Sequence, residues 1–373
     1  MPVVCRGNSV LCDPSAGSPV LPALREHFST TARRKSMLKR LILGIVGAVL
    51  IAGAFVAGFL MRPLRPENQK PGKFPEQIVY VCSSDDVVSA GVIFSPPQTQ
   101  SKPLAVIWVH GWGVNFYSPS YVGVGRALAT LGYTTISVNT RMHDLGNVEK
   151  YTLAGKRVRG GGYWGITSED ARDIAAWIGY VEQLGYRRVV LVGHSAGWAS
   201  VGRYQADSRD ARVAGLVFAS GEIVGNLQGA ADPNWVGQAQ KLVDEGNGED
   251  LLRIPNRSLP AFISAATELD MIHRPREFAD FFGTQTPNPP ILRVSCPLLA
   301  FFATGDDVGT KADLNLLKSS VERFASGPSR VDITMIQNAD HEYTGQEGQV
   351  AQVIASWADS ISPKAAAQET KSH

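Results

Sequence analysis

The sequence has few of the residues on which metal centres and disulfide-rich scaffolds depend. Four of its 373 residues are cysteine, and no Cys-x-x-Cys or His-Glu-x-x-His pattern indicates a metal site. The net charge of +2 gives no sign of a polyanion partner, so nucleic acid binding is not expected. A composition that is 44% hydrophobic and 19% charged instead predicts one large globular domain with a sizeable core.

The cysteines themselves leave one question open. Cys5 and Cys12 fall in an N-terminal leader, whereas Cys82 and Cys296 lie beside strand-like segments. The simplest interpretation of the latter two is a pair of buried thiols. In an oxidising compartment they could instead form a disulfide.

One short segment carries the strongest chemical signal. The apolar run Val189–Val192 ends in Gly193-His194-Ser195-Ala196-Gly197, and a helix is expected to follow. In a strand–turn–helix context this pattern is typical of a nucleophile elbow, where two glycines allow a tight turn that leaves the serine hydroxyl exposed. Ser195 is therefore the candidate nucleophile.

A serine hydroxyl needs a neighbouring base, usually a histidine that is oriented by a carboxylate. Three histidines follow Ser195 in the chain: His273 in a region interpreted as an insertion, His373 at the end of a polar tail, and His341. His341 follows the strand-like run Val331–Ile336 and a short loop, which is where such sheets place catalytic side chains. We therefore expect His341 to be the base.

The acid is expected one strand earlier than the base. The apolar segment Pro297–Gly305 ends in a glycine turn, and Asp306 and Asp307 follow at once. A helix over residues 311–324 and the next strand then separate these aspartates from His341, which is the spacing of one α/β unit. Asp307 is preferred as the acid, because Asp306 could close the turn through its own side chain.

Acyl transfer also needs backbone N–H donors that point at the developing oxyanion. One is expected from Ala196, the residue after the nucleophile. The other is expected from Trp112 in the segment His110-Gly111-Trp112-Gly113, which follows the strand-like run Leu104–Val109. The Trp112 indole could also wall the acyl pocket, and His110 is expected to orient this loop by a hydrogen bond.

Together these motifs resemble those of the α/β-hydrolase superfamily, and of its serine esterases and lipases in particular. The resemblance covers about residues 78–361 and rests on segments 110–113, 193–197, 305–307 and 340–341. It implies an α/β fold with a mostly parallel central sheet, helices on both faces and an inserted helical lid. It also implies a serine hydrolase that uses neither a metal ion nor an organic cofactor.

The function implied by the resemblance is hydrolysis of a carboxylic ester, of a small molecule or a lipid, through an acyl-enzyme on Ser195. A thioesterase or amidase of the same fold is an alternative. A non-catalytic binding protein of the same fold is another, although the complete Ser/Asp/His set argues against it. The physiological substrate and the oligomeric state are not specified by the sequence.

Alternating strand and helix patterns predict a catalytic domain over residues 76–362. Within it the sheet pattern stops over residues 222–293, which are predicted to form the helical lid because ordinary connections are only about 2–6 residues long. A basic segment, residues 147–163, is expected to be a solvated flexible loop, or else to bind an anionic group. Residues 363–373 are predicted to be a disordered tail.

The N-terminal part has a different character. Residues 41–61 carry no charge over 21 positions, which is long enough to span a bilayer as a helix. Five basic residues between positions 33 and 40 favour a cytoplasmic N-terminal side. We therefore predict a transmembrane anchor over residues 37–62, a linker over residues 63–75, and a catalytic domain outside the cytoplasm.

Two alternatives concern this N-terminal part. A signal peptide cleaved near Phe55 would give a secreted or periplasmic protein instead of an anchored one. Residues 1–36 are interpreted as a disordered leader, or as untranslated if Met37 is the true start.

Overall fold

Successive residues of the strand β3 (Leu104–Val109) enter two different hydrophobic cores. Its odd-numbered residues pack into one core and its even-numbered residues into the other. Neighbouring side chains of a strand point to opposite faces, so a strand that is apolar throughout must be covered on both sides. The structure is a computed structural model that describes residues 74–151, 157–223, 233–254, 262–272 and 280–362.

The strand β3 lies inside an eight-stranded sheet. The order across the sheet is β1 (Glu76–Cys82), β2 (Val88–Phe94), β4 (Thr135–Val138), β3, β7 (Arg188–His194), β8 (Val213–Ala219), β11 (Leu298–Gly305) and β12 (Val331–Asp340). Strand β2 is antiparallel to both of its neighbours, and the six strands from β4 to β12 are parallel. The predicted mostly parallel sheet is confirmed.

Helices cover both faces of this sheet, as predicted. One face is covered by α1 (Pro119–Thr130) and α7 (Glu347–Ile361), and the other by α2 (Asp170–Gln183), α3 (Gly197–Ser208) and α6 (Lys311–Glu322). Apolar residues at helical spacing explain this packing: in α7, for example, Val350, Ile354 and Trp357 are all buried. Ligands of open parallel sheets bind beyond the carboxyl ends of the strands, so that edge is where a site is expected.

Between β8 and β11 the chain leaves the sheet, in the region predicted as a lid. Its described part contains α4 (Pro233–Asp244), the paired strands β9 (Leu251–Arg253) and β10 (Phe262–Ser264), and α5 (Ala265–Ile272). The expectation of a purely helical insertion is wrong, because β9 and β10 are extended and form an antiparallel pair.

The segment predicted as a flexible loop also contains strands. β5 (Asn147–Tyr151) and β6 (Arg157–Gly160) are antiparallel, so the loop interpretation of residues 147–163 is wrong for these positions. This segment is bound to the insertion: the Ser264 N–H donates to the Tyr163 carbonyl oxygen at 2.8 Å, and the Trp164 indole donates to the Glu249 carbonyl oxygen at 2.8 Å. The described residues of 157–165 and of 222–293 are together termed the cap.

The two cysteines of the catalytic domain and the predicted terminal segments complete the comparison with the sequence. Cys82 is exposed, Cys296 is buried, and both thiols are free, so the disulfide alternative is not formed. In the part of the chain that the structure describes, no helix is both long and apolar enough to cross a membrane. The predicted leader, anchor and tail (residues 1–36, 37–62 and 363–373) lie outside the described residues.

Candidate active site

Ser195 occupies a sharp turn between β7 and α3. Its φ is 51°, in the left-handed region that side chains with a Cβ rarely adopt. The flanking glycines make room for this turn, because a Cβ at Gly193 would lie 2.6 Å from the Trp198 Cα and one at Gly197 would overlap the His110 carbonyl oxygen. The strand–turn–helix context predicted for Ser195 is therefore present.

His341 lies just beyond β12, and its ring pairs with a carboxylate from the neighbouring strand. The His341 Nδ1 is 2.9 Å from the Asp306 Oδ1, and the Asp306 side chain has 0% of its surface exposed. Asp307 is exposed. The preference for Asp307 is therefore wrong: the chain leaves β11 with Asp306 turned towards β12 and the next side chain turned towards solvent.

Asp306 also closes the turn that follows β11, which is the role that made Asp307 the preferred acid. The Val308 N–H donates to the Asp306 Oδ1 at 3.0 Å, so Asp306 does close the turn through its own side chain. A carboxylate oxygen has room for two donors, and here the same oxygen also accepts from His341. Closing the turn and holding the histidine are therefore compatible roles of one side chain.

The second oxygen of Asp306 is held by two residues that the sequence analysis missed. The Ser220 Oγ donates to the Asp306 Oδ2, and the Tyr343 hydroxyl donates to the Ser220 Oγ at 2.7 Å. Ser220 follows β8, is 0% exposed and has a φ of 51°. One sequence signal could have identified Ser220: it is a polar residue directly after the apolar run Val213–Ala219. Its position is the end of a strand, at the sheet edge where the other site residues lie.

His194 joins the loops that carry the site. The Tyr121 hydroxyl donates to its Nδ1 at 2.7 Å, and its Nε2 donates to the His341 carbonyl oxygen at 2.9 Å. This tautomer is required because a carbonyl oxygen can only accept. The Gly111 N–H donates to the Tyr121 hydroxyl at 3.1 Å, so the loop after β3 is tied to the loop after β12. His194 is therefore a neighbour of the elbow that also connects three loops of the site.

The electrostatics of the two histidines differ. Burial lowers the pKa of His194 to about 3, so its ring is neutral at neutral pH. Burial also lowers the pKa of His341, but its hydrogen bond with Asp306 and the negative charge of Asp306 outweigh burial and raise that pKa above its usual value. Burial raises the pKa of Asp306, yet the hydrogen bonds from His341 and Ser220 hold it below its usual value. The site therefore favours an ionised Asp306 beside a basic His341.

The loop after β3 is fixed by His110. Its Nδ1 donates to the Gly111 carbonyl oxygen at 2.7 Å, and its Nε2 accepts from the Thr140 N–H at 3.1 Å. The predicted orienting role of His110 is confirmed by these contacts. Trp112 and Ala196, the predicted oxyanion donors, both lie beside Ser195 along the wall of one cavity.

This cavity has a volume of about 400 Å³ and lies between Ser195 and the cap. Its wall is largely apolar, and the aromatic contributors are Trp112, Trp198, Phe262 and Phe281. The Trp112 indole lines it, as the sequence suggested, and donates to the Gly162 carbonyl oxygen of the cap at 3.3 Å. A cavity of this size and character is typical of small-molecule sites, which measure about 300–1,000 Å³.

Two sets of side chains in the described part of the chain are close enough to hold a metal ion. They are Asp306, Asp307 and His341, and His194, His341 and Glu342, with ligand atoms within 4.8 Å of one another. In the first set Asp306 and His341 bind each other, and in the second both ring nitrogens of His194 are hydrogen bonded. Hydrogen bonding within the site therefore accounts for both clusters.

Comparisons with known proteins agree with this geometry. Residues 106–353 match a family model described as the alpha/beta hydrolase family. No curated protein matches the chain. Several solved structures share its fold, at identities that show the fold alone.

Three of these structures illustrate the likeness. Est1E from Butyrivibrio proteoclasticus with bound ferulic acid is 15% identical, with a TM-score of 0.51 over 76% of this chain and 98% of that one. A monoacylglycerol lipase from Paleococcus ferrophilus is 19% identical, with a TM-score of 0.50 over 74% and 99%. DcsB in complex with a substrate analogue is 13% identical, with a TM-score of 0.55 over 77% and 99%.

Proposed function

Because the chain belongs to the alpha/beta hydrolase family, we propose that it is a serine hydrolase that cleaves a carboxylic ester through an acyl-enzyme. The observation that carries this proposal is the position of Ser195, in a strained turn, at the same sheet edge as the His341–Asp306 pair. A monoacylglycerol lipase is among the proteins that share the fold, which supports an ester as the substrate.

In the proposed mechanism the Ser195 Oγ attacks the acyl carbon while the His341 Nε2 accepts its proton. Asp306 holds the ring at Nδ1 and stabilises the imidazolium that forms. The oxyanion is received by the backbone N–H groups of Trp112 and Ala196. His341 then protonates the leaving alcohol, and water attacks the acyl-enzyme by the reverse sequence of proton transfers.

The electrostatics support the base role of His341. A general base works best when its pKa lies near the operating pH. The partnership with Asp306 raises the pKa of His341 against the effect of burial, and so offsets a loss of basicity inside the protein. The neutral His194 adds no charge that would oppose protonation of His341.

The site bears differently on the two alternative functions, a thioesterase or amidase and a non-catalytic binding protein. Thioesters and amides would use the same residues as esters, so substrate assays must distinguish among these acyl compounds. A purely binding role gives no reason for Ser195 to combine a left-handed backbone, which costs about 1–3 kcal/mol, with a position at the same sheet edge as the His341–Asp306 pair. Strain of this kind is typical of functional sites.

The decisive test is labelling by a fluorophosphonate probe together with turnover of p-nitrophenyl acetate. Ser195→Ala should lose both signals. Ser319→Ala, at an exposed serine of α6 far along the chain from the elbow, is the matched control and should retain both. Full turnover in folded Ser195→Ala would refute the proposal.

We also propose that residues 41–61 tether the enzyme to a membrane, with the catalytic domain outside the cytoplasm. The support is the uncharged stretch of 21 residues and the basic cluster before it. The protein should then stay in the pellet after alkaline carbonate extraction. A soluble mature chain that begins near Phe55 would replace the anchor by the signal-peptide alternative.

A further inference from the structure

We propose that Tyr121, a residue outside the motifs of the sequence analysis, is a positioning residue that fixes the proposed oxyanion donor Trp112 and the proposed base His341 relative to each other. This inference rests on the proposed serine hydrolase function and adds a residue to its machinery. It is carried by three hydrogen bonds that run in one direction, from the loop after β3 to the loop after β12.

Both ends of this chain of hydrogen bonds are backbone groups, and they fix its direction. At one end the Gly111 N–H donates to the Tyr121 hydroxyl oxygen at 3.1 Å. At the other end the His194 Nε2 donates to the His341 carbonyl oxygen at 2.9 Å. The Nδ1 of the same neutral ring is therefore an acceptor, and the Tyr121 hydroxyl donates to it at 2.7 Å. Position 121 requires one group that accepts and donates at once, which a tyrosine hydroxyl does and a phenyl ring cannot.

The surroundings of Tyr121 keep its hydroxyl protonated and in place. The side chain lies in the first turn of α1 and is 1% exposed. Burial raises the pKa of the Tyr121 hydroxyl, which therefore remains able to donate. Its ring packs against the rings of Trp108 and His194, with the ring centroids 5.4 Å apart in each pair. Packing thus sets the point from which the hydroxyl reaches both partners.

On the oxyanion side the chain holds the peptide units next to Trp112. Gly111 joins two of these units: its N–H belongs to the first, and its carbonyl belongs to the second, which also contains the Trp112 N–H. Tyr121 holds the first unit, and the His110 Nδ1 holds the second by donating to the Gly111 carbonyl oxygen at 2.7 Å. Because glycine restricts rotation between the two units very little, both units must be held if the Trp112 N–H is to keep one direction.

This glycine lies directly against the proposed nucleophile. A Cβ at Gly111 would be 3.0 Å from the Ser195 Cβ. A shift of the loop therefore changes the distance between the Trp112 N–H and the oxygen of an acyl group on Ser195. In an active site a misplacement of about 1 Å can lower a rate by about 100-fold.

On the base side the chain ends at the main chain of His341 itself. Asp306 holds the His341 ring at Nδ1, whereas His194 holds the backbone from which that ring projects. A general base must lie within hydrogen-bond reach of the proton that it accepts, so both contacts bear on proton transfer from Ser195. Because one chain reaches both loops, loss of the Tyr121 hydroxyl should weaken oxyanion stabilisation and proton transfer together.

The test removes this hydroxyl and leaves the ring. In Tyr121→Phe, kcat for p-nitrophenyl acetate should fall by about 10-fold or more, because both loops lose a constraint. KM should change little, since Tyr121 is not among the described residues that line the cavity. Tyr133→Phe is the matched control and should keep the native kcat: Tyr133 is 0% exposed, and its hydroxyl donates to Asp359 of α7 at 2.7 Å.

An inhibitor separates positioning from a general loss of stability. Trifluoroacetone forms a tetrahedral adduct with an active serine, and the oxyanion of that adduct needs the N–H groups of Trp112 and Ala196. Its Ki should rise in Tyr121→Phe by about the same factor as kcat falls. Thermal melting of the variant establishes that it is folded under the assay conditions, and a change in melting temperature alone leaves Ki unaltered.

The native protein gives a further readout that needs no turnover. Nitrogen NMR of the imidazole rings should show a neutral His194 with its proton on Nε2, assigned by the signals that disappear in His194→Gln. A proton on Nδ1 would leave the Tyr121 hydroxyl without its acceptor and would overturn the inference.

The outcomes separate this inference from the proposed function. If the native protein hydrolyses acetate and Tyr121→Phe keeps kcat within about twofold, the positioning role alone is wrong. An equal loss of kcat in Tyr133→Phe, or a higher KM at native kcat in Tyr121→Phe, overturns it as well. If the native protein shows neither acetate turnover nor fluorophosphonate labelling, the proposed function is wrong and the positioning role falls with it.

Discussion

Ser195 and Ser220 follow neighbouring strands of the sheet, have the same φ of 51°, and differ in what their hydroxyls reach. The Ser195 N–H donates to the Ala219 carbonyl oxygen at 2.8 Å, and the Ser220 N–H to the Phe301 carbonyl oxygen at 2.9 Å, so each turn is held by the next strand. Ser195 borders the cavity, whereas Ser220 is completely buried and donates to Asp306. One backbone conformation therefore presents the proposed nucleophile at one strand end and a support for the proposed acid at the next.

The difference between the turns at Ser195 and Ser220 explains why the sequence predicted a functional role only for Ser195. The turn at Ser195 is compressed by the backbone of α3 beside Gly193 and by the backbone of Val109 and His110 beside Gly197, which requires glycine at both positions and leaves a sequence pattern. Ser220 has a single glycine beside it, Gly221, and its role depends on Asp306 and Tyr343, which lie far away in sequence. A pattern of neighbouring residues cannot encode that arrangement.

The largest effect is expected when the serine that borders the cavity is changed. Ser195→Ala removes the attacking oxygen, and kcat for p-nitrophenyl acetate should fall by roughly 10⁴-fold or more. Ser220→Ala, measured beside it, should retain labelling by the fluorophosphonate probe. Equal loss of labelling in both variants would mean that the comparison between the two serines is mistaken.

A smaller but still large effect should separate the two aspartates. Asp306→Asn leaves His341 without an ionised partner and should lower kcat by about 10³- to 10⁴-fold. Asp307→Asn changes an exposed side chain and should stay within a few-fold of the native rate. The reverse order in steady-state kinetics would restore the original preference for Asp307.

Ser220→Ala should have an intermediate effect on the chemistry. Loss of its hydrogen bond removes one of the contacts that lower the pKa of Asp306, and kcat should drop by about 10-fold. KM should change little, because Ser220 is not among the described residues that line the cavity. Tyr343→Phe should show a weaker form of the same change. A rise in KM with normal kcat would contradict a positioning role.

The smallest effect concerns pH. The pKa of His341 is raised, so kcat/KM should fall as the pH drops through a value above the usual 6.5. Glu342 contributes to this rise, as do Asp306 and Asp307. Glu342→Gln removes one negative charge and should move the acid limb of the profile to lower pH. A movement to higher pH, measured with p-nitrophenyl acetate, would exclude this electrostatic role.

The parts that sequence predicted well are those fixed by local chemistry. The apolar run before Ser195 and its glycines specify a strand, a turn and a helix, and the strand before His341 places that residue at the same edge. The choice between Asp306 and Asp307 depends on the direction in which the chain leaves β11. The side chains of these two neighbouring residues point in different directions, and the amino-acid sequence does not show which of them faces His341.

The cap and the strand β5 before it show the same limit at a larger scale. Residues 147–163 lack the regular alternation that predicts a strand, and β5 and β6 pair with each other outside the central sheet. Contacts such as that between Ser264 and Tyr163 join segments about 100 positions apart. Tertiary pairing of this kind decides the local structure, and a window of neighbouring residues does not contain it.

The bond from the Trp112 indole to the Gly162 carbonyl oxygen gives the molecule an optical readout of its own. The indole stands between the nucleophile's loop and the cap, with the Tyr163 ring centred 6.1 Å from it. Withdrawal of the cap would replace that carbonyl and that ring by water, and the emission of Trp112 would shift to longer wavelength. Because the chain has seven tryptophans, stopped-flow fluorescence of the native chain would report such a movement only by its difference from Trp112→Phe.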